Sequence, residues 1–475
     1  MATDAARGFS ERRAAHWDSV AQSPPKLGLL SRGYKRRLER IYRFHISPNQ
    51  RVLELGSGTG DLLASIRPSY GYGVDFSRSQ IAVASADHPE LHFEHADVHD
   101  LDIDEKFDVV ILSDLVDDVW DVQTVLETMR PACTPRTRIV MNTYSRLWQV
   151  PLAVARRLGI AKPVLTQNWL TTADLENLLG VTGYDVVRTS REIMFPIGVP
   201  LISGFLNRFL VRLWPFNYLA LTNLVVARPR PERVMSEVSV SIVIPARNEE
   251  GHILEIIERT PDFLGGSELI FVEGNSTDDT YSTIESAILG HPKRCIRLFQ
   301  QSGKGKGDAV RLGFSKATGD ILMILDADMT VAPEDLPRFV EALRSGVGEF
   351  INGVRLVYPM ERRAMRFLNF LGNKFFGIAF SWLLQQRIKD TLCGTKVLWR
   401  SDYELIAANR DYFGDFDPFG DFDLLFGASR LNMKIVDMPI RYHERTYGVT
   451  NISRWRHGLL LIRMVAFAAR RLRFV

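Results

Sequence analysis

Cysteine is scarce in this chain, and no hydrophobic run is long enough to cross a bilayer. The three cysteines among 475 residues, Cys133, Cys295 and Cys393, stand alone, without the CxxC or Cys/His spacing of a zinc site. Such isolated cysteines argue against a disulfide framework and suit a reducing compartment. Because no eighteen consecutive residues are apolar, no transmembrane helix is expected.

A strong excess of charge of one sign is also missing. The formal net charge is +3, with 24% of residues charged and 46% hydrophobic, a composition that fits a globular protein and predicts no nucleic-acid partner. The N-terminal residues are polar and lack the apolar core of a signal peptide. We therefore expect a cytoplasmic protein, or one that is peripheral on the cytoplasmic face of the membrane.

The length and the pattern of the chain predict two domains. A chain of 475 residues exceeds one ordinary core, and short apolar strands alternate with helix-length amphipathic stretches in both halves. Residues 229–238 contain two prolines and dense charge, which forbid a regular element. The sequence therefore predicts two α/β domains, 1–228 and 239–475, joined by a linker.

A glycine-rich turn follows the first predicted strand. Gly56, Gly58 and Gly60 let the backbone turn sharply and approach a ligand. Glu54 lies two residues before Gly56, placed to meet the amino group of a ligand. Turns of this kind also bind NAD, so the glycines by themselves leave a dinucleotide enzyme open.

Two acids follow the next strands and distinguish between these possibilities. Asp75 ends the second predicted strand, where an acid suits ribose hydroxyls, and Asp97 follows the third, where a carboxylate can accept from an adenine amino group. Taken singly, each acid is equally well a helix cap or a turn residue. In this order, residues 51–228 resemble the class I S-adenosylmethionine-dependent methyltransferases. The resemblance implies a Rossmann-like sheet. It also implies that the residues in contact with the cofactor are Glu54, Gly56, Gly58, Asp75 and Asp97.

The resemblance does not specify the methylated group, because that family has no universal catalytic residue. Asp114 and Asp117 follow the fourth predicted strand and are candidate bases, with a surface-loop role as the alternative. For residues 165–175 we favour a structural interpretation, in which Thr171 or Thr172 caps a helix that runs to Gly180.

Four motifs follow in the second half. Residues 242–250 form a strand that enters a polar helix start, 271–280 end a strand in carboxylates, and 303–311 offer flexible backbone and cations for phosphates. Asp326 and Asp328 then leave the apolar strand 321–325. Residues two apart on a strand face the same way, so the two carboxylates can share a Mg²⁺ or Mn²⁺ whose shell a diphosphate completes. One Asp-x-Asp is common, whereas the four motifs in this order are specific.

From about residue 238 to 457 this order resembles the family 2 glycosyltransferases of the GT-A fold, most closely their dolichyl-phosphate mannosyltransferase and polyprenyl-phosphate glucosyltransferase branch. The resemblance implies a nucleotide-sugar donor, a lipid-linked acceptor such as polyprenyl phosphate, and Asp326 and Asp328 as metal ligands. The resemblance implies four catalytic residues, Asp326, Asp328, Asp421 and Arg445. The chain departs from the branch at Asn451, which stands where the branch has a lysine. The resemblance also implies donor contacts by Pro245, Arg247, Asn248, Glu249, Asp278, Lys306, Asp308 and Arg311.

Asp421 has two interpretations that the sequence leaves open. A lipid phosphate is already ionised near neutral pH and needs no base, whereas a sugar hydroxyl does. Other family 2 enzymes keep a base at this position. The structural alternative is a negative charge that the dipole favours at a helix start.

Two segments predict contact with a membrane surface. From residue 362 to 385 polar or small residues recur every three or four positions and leave a broad apolar face, and the resembled branch has an interfacial helix there. Residues 452–475 carry six arginines and no acid, as a basic amphipathic tail does on an anionic bilayer. Packing on the sheet or against a dimer partner is the alternative. The apolar stretch 194–205 contains prolines, which favour a buried cover or a shallow membrane contact.

The leading hypothesis is a bifunctional enzyme of glycan or glycolipid assembly. It joins metal-dependent, inverting sugar transfer to S-adenosylmethionine-dependent methyl transfer on the same glycan or its precursor. The alternative is a hydroxyl-directed glycosyltransferase with Asp421 as its base, fused to a methyltransferase-like domain that only binds or docks.

Overall fold

The computed structural model describes residues 4–22, 29–158, 164–199, 201–358, 367–412, 420–443, 447 and 454–474. The chain forms two compact units, Met1–Arg230 with Phe474–Val475, and Pro231–Arg473. Each unit is a mixed α/β fold around a seven-stranded sheet in the described residues. The α/β class predicted from the alternation of strands and helices is confirmed.

The sheet of the first unit has the strand order β3-β2-β1-β4-β5-β7-β6. Strands β1 to β5 are parallel, and β7 runs antiparallel to β5 and β6. The strands are β1 Arg51–Leu55, β2 Tyr70–Asp75, β3 His92–His95, β4 Phe107–Ser113, β5 Cys133–Tyr144, β6 Tyr184–Arg191 and β7 Thr222–Pro229. The helices are α1 Asp4–Gln22, α2 Leu29–His45, α3 Asp61–Ile66, α4 Arg78–Asp87, α5 Val122–Thr128, α6 Gln149–Arg157, α7 Thr172–Val181 and α8 Ile202–Arg208.

Helices cover both faces of this sheet, which explains why its central strands are almost continuously apolar. Leu53 and Leu55 of β1 face one hydrophobic core, and Val52 faces a second core that includes Tyr42 of α2. Helix α7 begins as predicted, because Thr171 accepts from the backbone N–H of Asp174 while the Asp174 carboxylate accepts from that of Thr171.

The sheet of the second unit has the order β10-β9-β8-β11-β13-β12-β14. Strands β8 to β11 are parallel, and β13 runs antiparallel to β11 and β12. The strands are β8 Val240–Ala246, β9 Ser267–Glu273, β10 Cys295–Gln300, β11 Ile321–Ile324, β12 Phe350–Val354, β13 Lys396–Trp399 and β14 Ile435–Pro439. The helices are α9 Ile253–Arg259, α10 Thr280–Gly290, α11 Lys306–Lys316, α12 Leu336–Arg344, α13 Phe367–Leu384, α14 Arg400–Ala408, α15 Asp421–Arg430 and α16 Arg454–Ala468.

Part of the predicted linker packs on the second unit. The backbone N–H of Val234 donates to Arg344 O at 2.8 Å, and Arg233 pairs with Glu341 at 2.7 Å. Both partners lie on or at the end of α12, so residues 233 and 234 follow the surface of this unit.

Helix α13 places its small and polar residues against the protein. Asn373 is buried, and Ser381 Oγ donates to Gly377 O while accepting from the backbone N–H of Ile388. Phe376 and Phe380 are buried on the same helix, whereas Phe375 and Ile378 are 59% and 72% exposed, beside the exposed Lys374. No helix in the described ranges has the length and hydropathy of a membrane span.

Candidate active sites

The predicted glycine turn lies at the carboxyl end of β1. Gly56, Gly58 and Gly60 all adopt left-handed backbone angles, with φ of 72°, 54° and 74°, which favour glycine over other residues. The backbone N–H groups of Gly56 and Ser57 donate to Val74 O at 2.8 and 3.0 Å, which ties the turn to β2. A Cβ built on Gly58 has its nearest neighbour, Gln80 Oε1, at 3.9 Å, so this position faces open space.

Glu54 lies beneath this turn and is 2% exposed. Burial raises the pKa of Glu54 to about 8. Its Oε2 atom is buried and has no hydrogen-bond partner among the described residues. A buried carboxylate oxygen without a donor fits the ammonium group of a bound amino-acid moiety, in agreement with the role expected from the sequence.

Asp75 and Asp97 already accept hydrogen bonds from the protein. Asp75 accepts from the backbone N–H groups of Gly58 and Ser77, both at 2.9 Å, and so braces the glycine turn. Asp97 accepts from the backbone N–H of His99 at 3.0 Å and contacts its ring Nδ1 at 2.6 Å. The structure thus shows the turn and cap roles of both acids, and their ribose and adenine contacts stay predictions.

Helix α1 crosses this end of the sheet, which the sequence pattern did not predict. Its Asp18 accepts from Ser77 Oγ at 2.6 Å, and Arg13 and Trp17 both donate to Asp118 at 3.0 Å. The helix therefore bonds to the loops after β2 and β4. Its mostly polar sequence carried no sign of this contact, because side-chain hydrogen bonds, not an apolar face, hold it.

The candidate bases lie in a polar pocket after β4. Asp114 accepts from Tyr34 Oη at 2.8 Å and from Asn142 Nδ2, and the Tyr34 ring stacks on Tyr144 with centroids 5.8 Å apart. Asp117 is 1% exposed, which overturns the surface-loop alternative for this residue. Burial raises the pKa of Asp117 to about 8, so it is largely protonated at neutral pH. Asp114 and Asp117 both stay candidate bases, and their roles are not tested by these contacts.

In the second unit, the predicted donor-binding residues join the loops after β8 and β9. The backbone N–H of Asn248 donates to Ser276 Oγ at 3.0 Å, and Asn248 Oδ1 accepts from the backbone N–H of Thr277 at 2.8 Å. The backbone N–H of Glu249 donates to Thr280 Oγ1, and that hydroxyl donates to Asp278 at 2.5 Å. These contacts hold the two loops together at the carboxyl edge of the sheet.

The other predicted donor contacts occupy the same edge. Arg247 is exposed after β8, in which Pro245 is half-buried, and Asp308 accepts from the backbone N–H of Gly303 at 3.1 Å. Arg311 lies on α11. The predicted Arg445 and Asn451 lie outside the described residues.

Asp326, two residues after β11, forms an ion pair with Lys306. The Lys306 Nζ to Asp326 Oδ1 distance is 2.5 Å. Burial acts to raise the pKa of Asp326, but the Lys306 ammonium outweighs it and holds the pKa below its usual range. Gly394 packs directly on this pair, because a Cβ there collides with both side chains. No individual role was predicted for Gly394 from the sequence.

The residues of the Asp-x-Asp motif fit a divalent cation that a diphosphate shares. Asp328 is partly exposed like Asp326 and accepts from Thr330 Oγ1 at 2.7 Å. No cluster of three or more His, Cys, Asp or Glu with metal-binding geometry occurs in the described part of the chain. Two carboxylates are nevertheless enough for a hard cation that takes further oxygen atoms from phosphates and water.

Two buried charge pairs surround this cluster. Arg355 forms a bidentate ion pair with Asp390 at 2.7 and 2.9 Å, and Lys396 Nζ lies 3.4 Å from Asp421 Oδ1. Burial acts to raise the pKa of Asp390, but Arg355 outweighs it and holds the pKa below its usual range. Asp421 starts α15 as predicted and is 4% exposed.

Sequence reasoning did not single out Arg355 or Lys396. The sequence feature that could have identified them is a charged residue next to a strand. Arg355 directly follows a strand in Asn352-Gly-Val-Arg355, and Lys396 begins one in Lys396-Val-Leu-Trp399. Buried cations in such positions are uncommon unless they are paired.

Two family models match separate parts of the chain. A methyltransferase domain model matches residues 46–174, and the glycosyl transferase family 2 model matches residues 241–404. The first match contains the glycine turn and Glu54, and the second contains the Asp-x-Asp motif.

Curated relatives match the second half of the chain. Dolichol-phosphate mannosyltransferase of Pyrococcus furiosus is 33% identical over 22% of this chain and 30% of its own length. Undecaprenyl-phosphate 4-deoxy-4-formamido-L-arabinose transferase of Enterobacter sp. is 33% identical over 45% of this chain and 62% of its own length. The chain thus spans less than two thirds of the length of either relative.

Solved structures resemble each half at low identity. Glucosyl-3-phosphoglycerate synthase of Mycobacterium tuberculosis aligns over 50% of this chain and 81% of its own, with 22% identity and a TM-score of 0.36. The protein in a DhpI–SAH complex aligns over 48% of this chain and 99% of its own, with 18% identity and a TM-score of 0.34. The chain therefore contains a region that matches the methyltransferase domain family and a separate region that matches glycosyl transferase family 2, whose curated relatives are named as transferases.

Proposed function

We propose that the second domain transfers a sugar from a nucleoside diphosphate sugar to a polyprenyl phosphate, and that the first transfers a methyl group from S-adenosylmethionine to the same glycan or its lipid-linked precursor. The observation that carries the sugar-transfer half is the cluster of Asp326, Lys306 and the buried Lys396–Asp421 pair at one edge of the sheet. The names of the curated relatives, which are transferases to undecaprenyl or dolichol phosphate, support the acceptor.

In this proposal the residues of the second domain neutralise the negative charge of the phosphate groups. Asp326 and Asp328 would hold a divalent cation. When bound, the cation would neutralise negative charge on the nucleoside diphosphate. An ionised oxygen of the lipid phosphate forms the new bond to the anomeric carbon, and the bond from that carbon to the diphosphate breaks with inversion. Lys306 is a partly exposed cation beside Asp326, placed to stabilise charge on the departing group.

One observation favours the hydroxyl-acceptor alternative. Asp421 Oδ1 is buried and makes no hydrogen bond among the described residues, although Lys396 Nζ lies 3.4 Å away, so this oxygen could still accept a substrate proton. Asp421→Asn decides between the two. With a phosphate acceptor we expect a rate loss below roughly tenfold, whereas removal of a true base costs about 10² to 10⁴. Arg445→Ala should then be the more harmful change, because it removes a charge that pairs with phosphate.

The methyl-transfer half rests on Glu54 and on the open space at Gly58. These features fit the amino-acid part of S-adenosylmethionine, and Asp114 would accept a proton from a nucleophile held beside the stacked rings of Tyr34 and Tyr144. Titration calorimetry with S-adenosylmethionine tests the cofactor. Absence of binding would favour a domain that only docks.

The lipid-linked acceptor implies a peripheral position on the cytoplasmic face of a membrane. Helices α13 and α16 expose apolar side chains, Phe375 and Ile378 on the first and Leu459 and Ile462 on the second. Arg463 and Arg470 are exposed on the same C-terminal segment. Such a mixture suits the surface of an anionic bilayer.

The central experiment is a transfer assay on the full chain. Vesicles that contain polyprenyl phosphate are incubated with a panel of nucleotide sugars and Mg²⁺ or Mn²⁺, and the lipids are analysed by mass spectrometry. Asp328→Asn should abolish transfer, while Glu285→Gln, an exposed change on α10, should not. Near-normal turnover by Asp328→Asn would contradict the role assigned to the Asp-x-Asp motif.

A further inference from the structure

Helix α8 of the methyltransferase unit is inverted, with polar residues inside and hydrophobic residues outside. Ser203 and Asn207 are buried, and Asn207 accepts from the backbone N–H of Met194 at 2.7 Å while it donates to Phe195 O at 2.6 Å. Ile202 and Phe205 are 55% and 58% exposed. A helix between a protein core and water shows the opposite arrangement. The outer side of α8 is therefore suited to an apolar medium.

The exposed apolar area extends well beyond α8. Apart from Trp120 and Val181, every exposed large hydrophobic residue in the described part of the first unit lies in residues 146–158 or 201–219. The two segments meet where Trp148 Nε1 donates to Leu219 O at 3.1 Å. Together they form what we call the outer apolar surface. Its hydrophobic members are Leu147, Val150, Val154, Leu158, Leu201, Ile202, Phe205, Phe209, Leu213, Trp214, Phe216, Tyr218 and Leu219.

This surface has its own internal support. Met194, Val211 and Ala220 form a small buried cluster beneath it, and Arg191 lies over the Tyr218 ring at 4.0 Å. The large side chains are thus held outward by an ordered scaffold. A monomeric soluble protein rarely exposes a continuous apolar area of this kind without a binding role.

The two segments that form the outer apolar surface carry charge of one sign. No aspartate or glutamate occurs in residues 128–173 or 193–231, and Arg146, Arg157 and Arg208 are exposed there. The nearest acid before α8, Glu192, is 4% exposed and pairs with Arg212 at 2.5 Å. Exposed arginines among aromatic and aliphatic residues fit anionic lipid headgroups above acyl chains.

The outer apolar surface borders the candidate methyl-acceptor pocket. Tyr144, which stacks on Tyr34, ends β5 and leads directly into residue 146. On the other side, Arg37 Nη2 of α2 donates to Ser203 O of α8 at 2.9 Å, and Tyr34 lies one helical turn earlier on α2. A substrate anchored in a bilayer beneath this surface would thus lie beside the Tyr34–Asp114 pair.

We propose that the outer apolar surface docks the methyltransferase unit on an anionic bilayer, and that the methyl acceptor is therefore carried by a lipid. The docking stands by itself, whereas the lipid-borne acceptor rests on the methyl transfer proposed above. A second copy of the chain fits less well, because two copies of a surface with only basic charge repel each other across a symmetric interface. The bilayer supplies both the apolar medium and the opposite charge.

The test measures sedimentation of the full chain with vesicles of phosphatidylcholine, alone or mixed with phosphatidylglycerol. The triple variant Ile202→Ser/Phe205→Ser/Trp214→Ser should lower partition to the anionic vesicles by about tenfold or more. Val181→Ser, an exposed residue of the same unit outside the surface, should leave partition unchanged. Both proteins are also compared in a background that carries Phe375→Ser/Ile378→Ser/Leu459→Ser/Ile462→Ser, which removes the apolar contacts proposed for α13 and α16. Equal partition with and without the triple change in that background would overturn the proposal.

A second variant separates charge from apolar contact and guards against misfolding. Arg146→Gln/Arg157→Gln/Arg208→Gln should weaken the preference for anionic over neutral vesicles, because it removes three positive charges and leaves the apolar side chains. Hydrogen exchange on the wild type should show slower exchange in 202–219 with anionic vesicles. No protection there would overturn the proposal, as would an oligomer that the apolar variant dissociates without affecting vesicle binding.

S-adenosylmethionine calorimetry on the same proteins keeps this inference distinct from the proposed function. We expect both surface variants to keep the wild-type affinity, because neither changes the glycine turn or Glu54. If the wild type binds vesicles through 202–219 but not S-adenosylmethionine, methyl transfer fails and docking stands. If it binds S-adenosylmethionine and the triple variant still sediments like the wild type, docking fails.

Discussion

Glu54 illustrates how one buried carboxylate links stability to binding. Its pKa is about 8 against an ordinary value of 4.5, because burial disfavours the charged form. Between these pH values the native state holds a proton that the unfolded state has lost, so native stability falls as pH rises toward 8. A cationic ligand group would bind the ionised form of the same carboxylate. The native protein is therefore most stable at the pH values where Glu54 is protonated and binds such a group least well.

We therefore predict that Glu54→Gln removes this pH dependence. The free energy of unfolding of the variant, relative to the wild type, should rise by up to about 1.4 kcal/mol per pH unit between about pH 5 and pH 8. Its affinity for S-adenosylmethionine should fall roughly 10- to 100-fold, because a charge-assisted hydrogen bond is lost. Urea unfolding across this pH range and calorimetry measure the two effects. A relative stability that does not change with pH would contradict the raised pKa.

Gly58→Val should block the cofactor turn at a modest cost in stability. The left-handed φ of 54° is strained for valine, but the space around a Cβ at this position is open, so the added side chain occupies room available to a ligand. We expect S-adenosylmethionine binding to become undetectable by calorimetry. Gly183→Val is the matched control, since Gly183 has a φ of +83° in the same unit, away from the turn. Equal affinity of both variants would refute the assignment.

In the second unit, Gly394→Ala should abolish sugar transfer without unfolding the domain. A single Cβ at this position collides with the Asp326–Lys306 pair, so the pair must separate and the carboxylate must move. Gly290→Ala at the end of α10 is the control, because nothing lies within 4 Å of a Cβ there. The transfer assay and a thermal melt measure the outcome. Normal turnover of Gly394→Ala would show that the positions of Asp326 and Lys306 are not critical.

At the scale of elements, helix α1 should slow the exchange of the methyl-donor cofactor. Its Asp18 accepts from Ser77 Oγ and from the backbone N–H of Ser79, at 2.6 and 2.9 Å, at the N-cap and first turn of α4, which follows β2. We expect Asp18→Ala to raise the dissociation rate of S-adenosylmethionine several-fold, because the variant loses hydrogen bonds worth roughly 1 kcal/mol. The thermal melt should change little. Stopped-flow displacement measures the rate. Glu11→Ala, on the exposed side of α1, should have no effect, and the same rate in both variants would exclude a covering role.

Helix α13 shows which properties of a helix the sequence pattern can predict. The periodicity from 362 to 385 predicted a helix, and α13 spans Phe367–Leu384, whereas residues 362–366 lie outside the described part of the chain. Periodicity does not say which side faces inward, and here the small residue Gly377 packs on the backbone of Lys389 while Phe375 is exposed. Close approach of two backbones requires a small residue, which only the packed structure reveals.

At the scale of the whole molecule, each unit has separate hydrophobic cores. The described core clusters contain residues 38–227 or residues 238–440, and none mixes the two ranges. We therefore predict two thermal transitions in scanning calorimetry. S-adenosylmethionine at about 100 times its Kd should stabilise one transition by about 2.7 kcal/mol, and a nucleoside diphosphate with Mg²⁺ should shift the other. A shift of both transitions by either ligand would show that the units unfold together.

The sequence by itself determined the two α/β domains, the glycine turn and the acids after each strand. These follow from local rules, because strand alternation, glycine at sharp turns and carboxylates at strand ends need only neighbours along the chain. It also predicted roles for Asp326, Asp328 and Asp421 in the second unit, and those roles stay predictions.

Only the tertiary structure decided what these residues contact. Lys306 pairs with Asp326 from a separate helix, Gly394 closes on them from a third segment, and α1 crosses the first site from the N-terminus. Burial that shifts the pKa of Glu54 and Asp117 depends likewise on atoms that are distant in sequence. Distances and desolvation arise when remote segments pack together, and the pattern of residues along the chain does not contain that information.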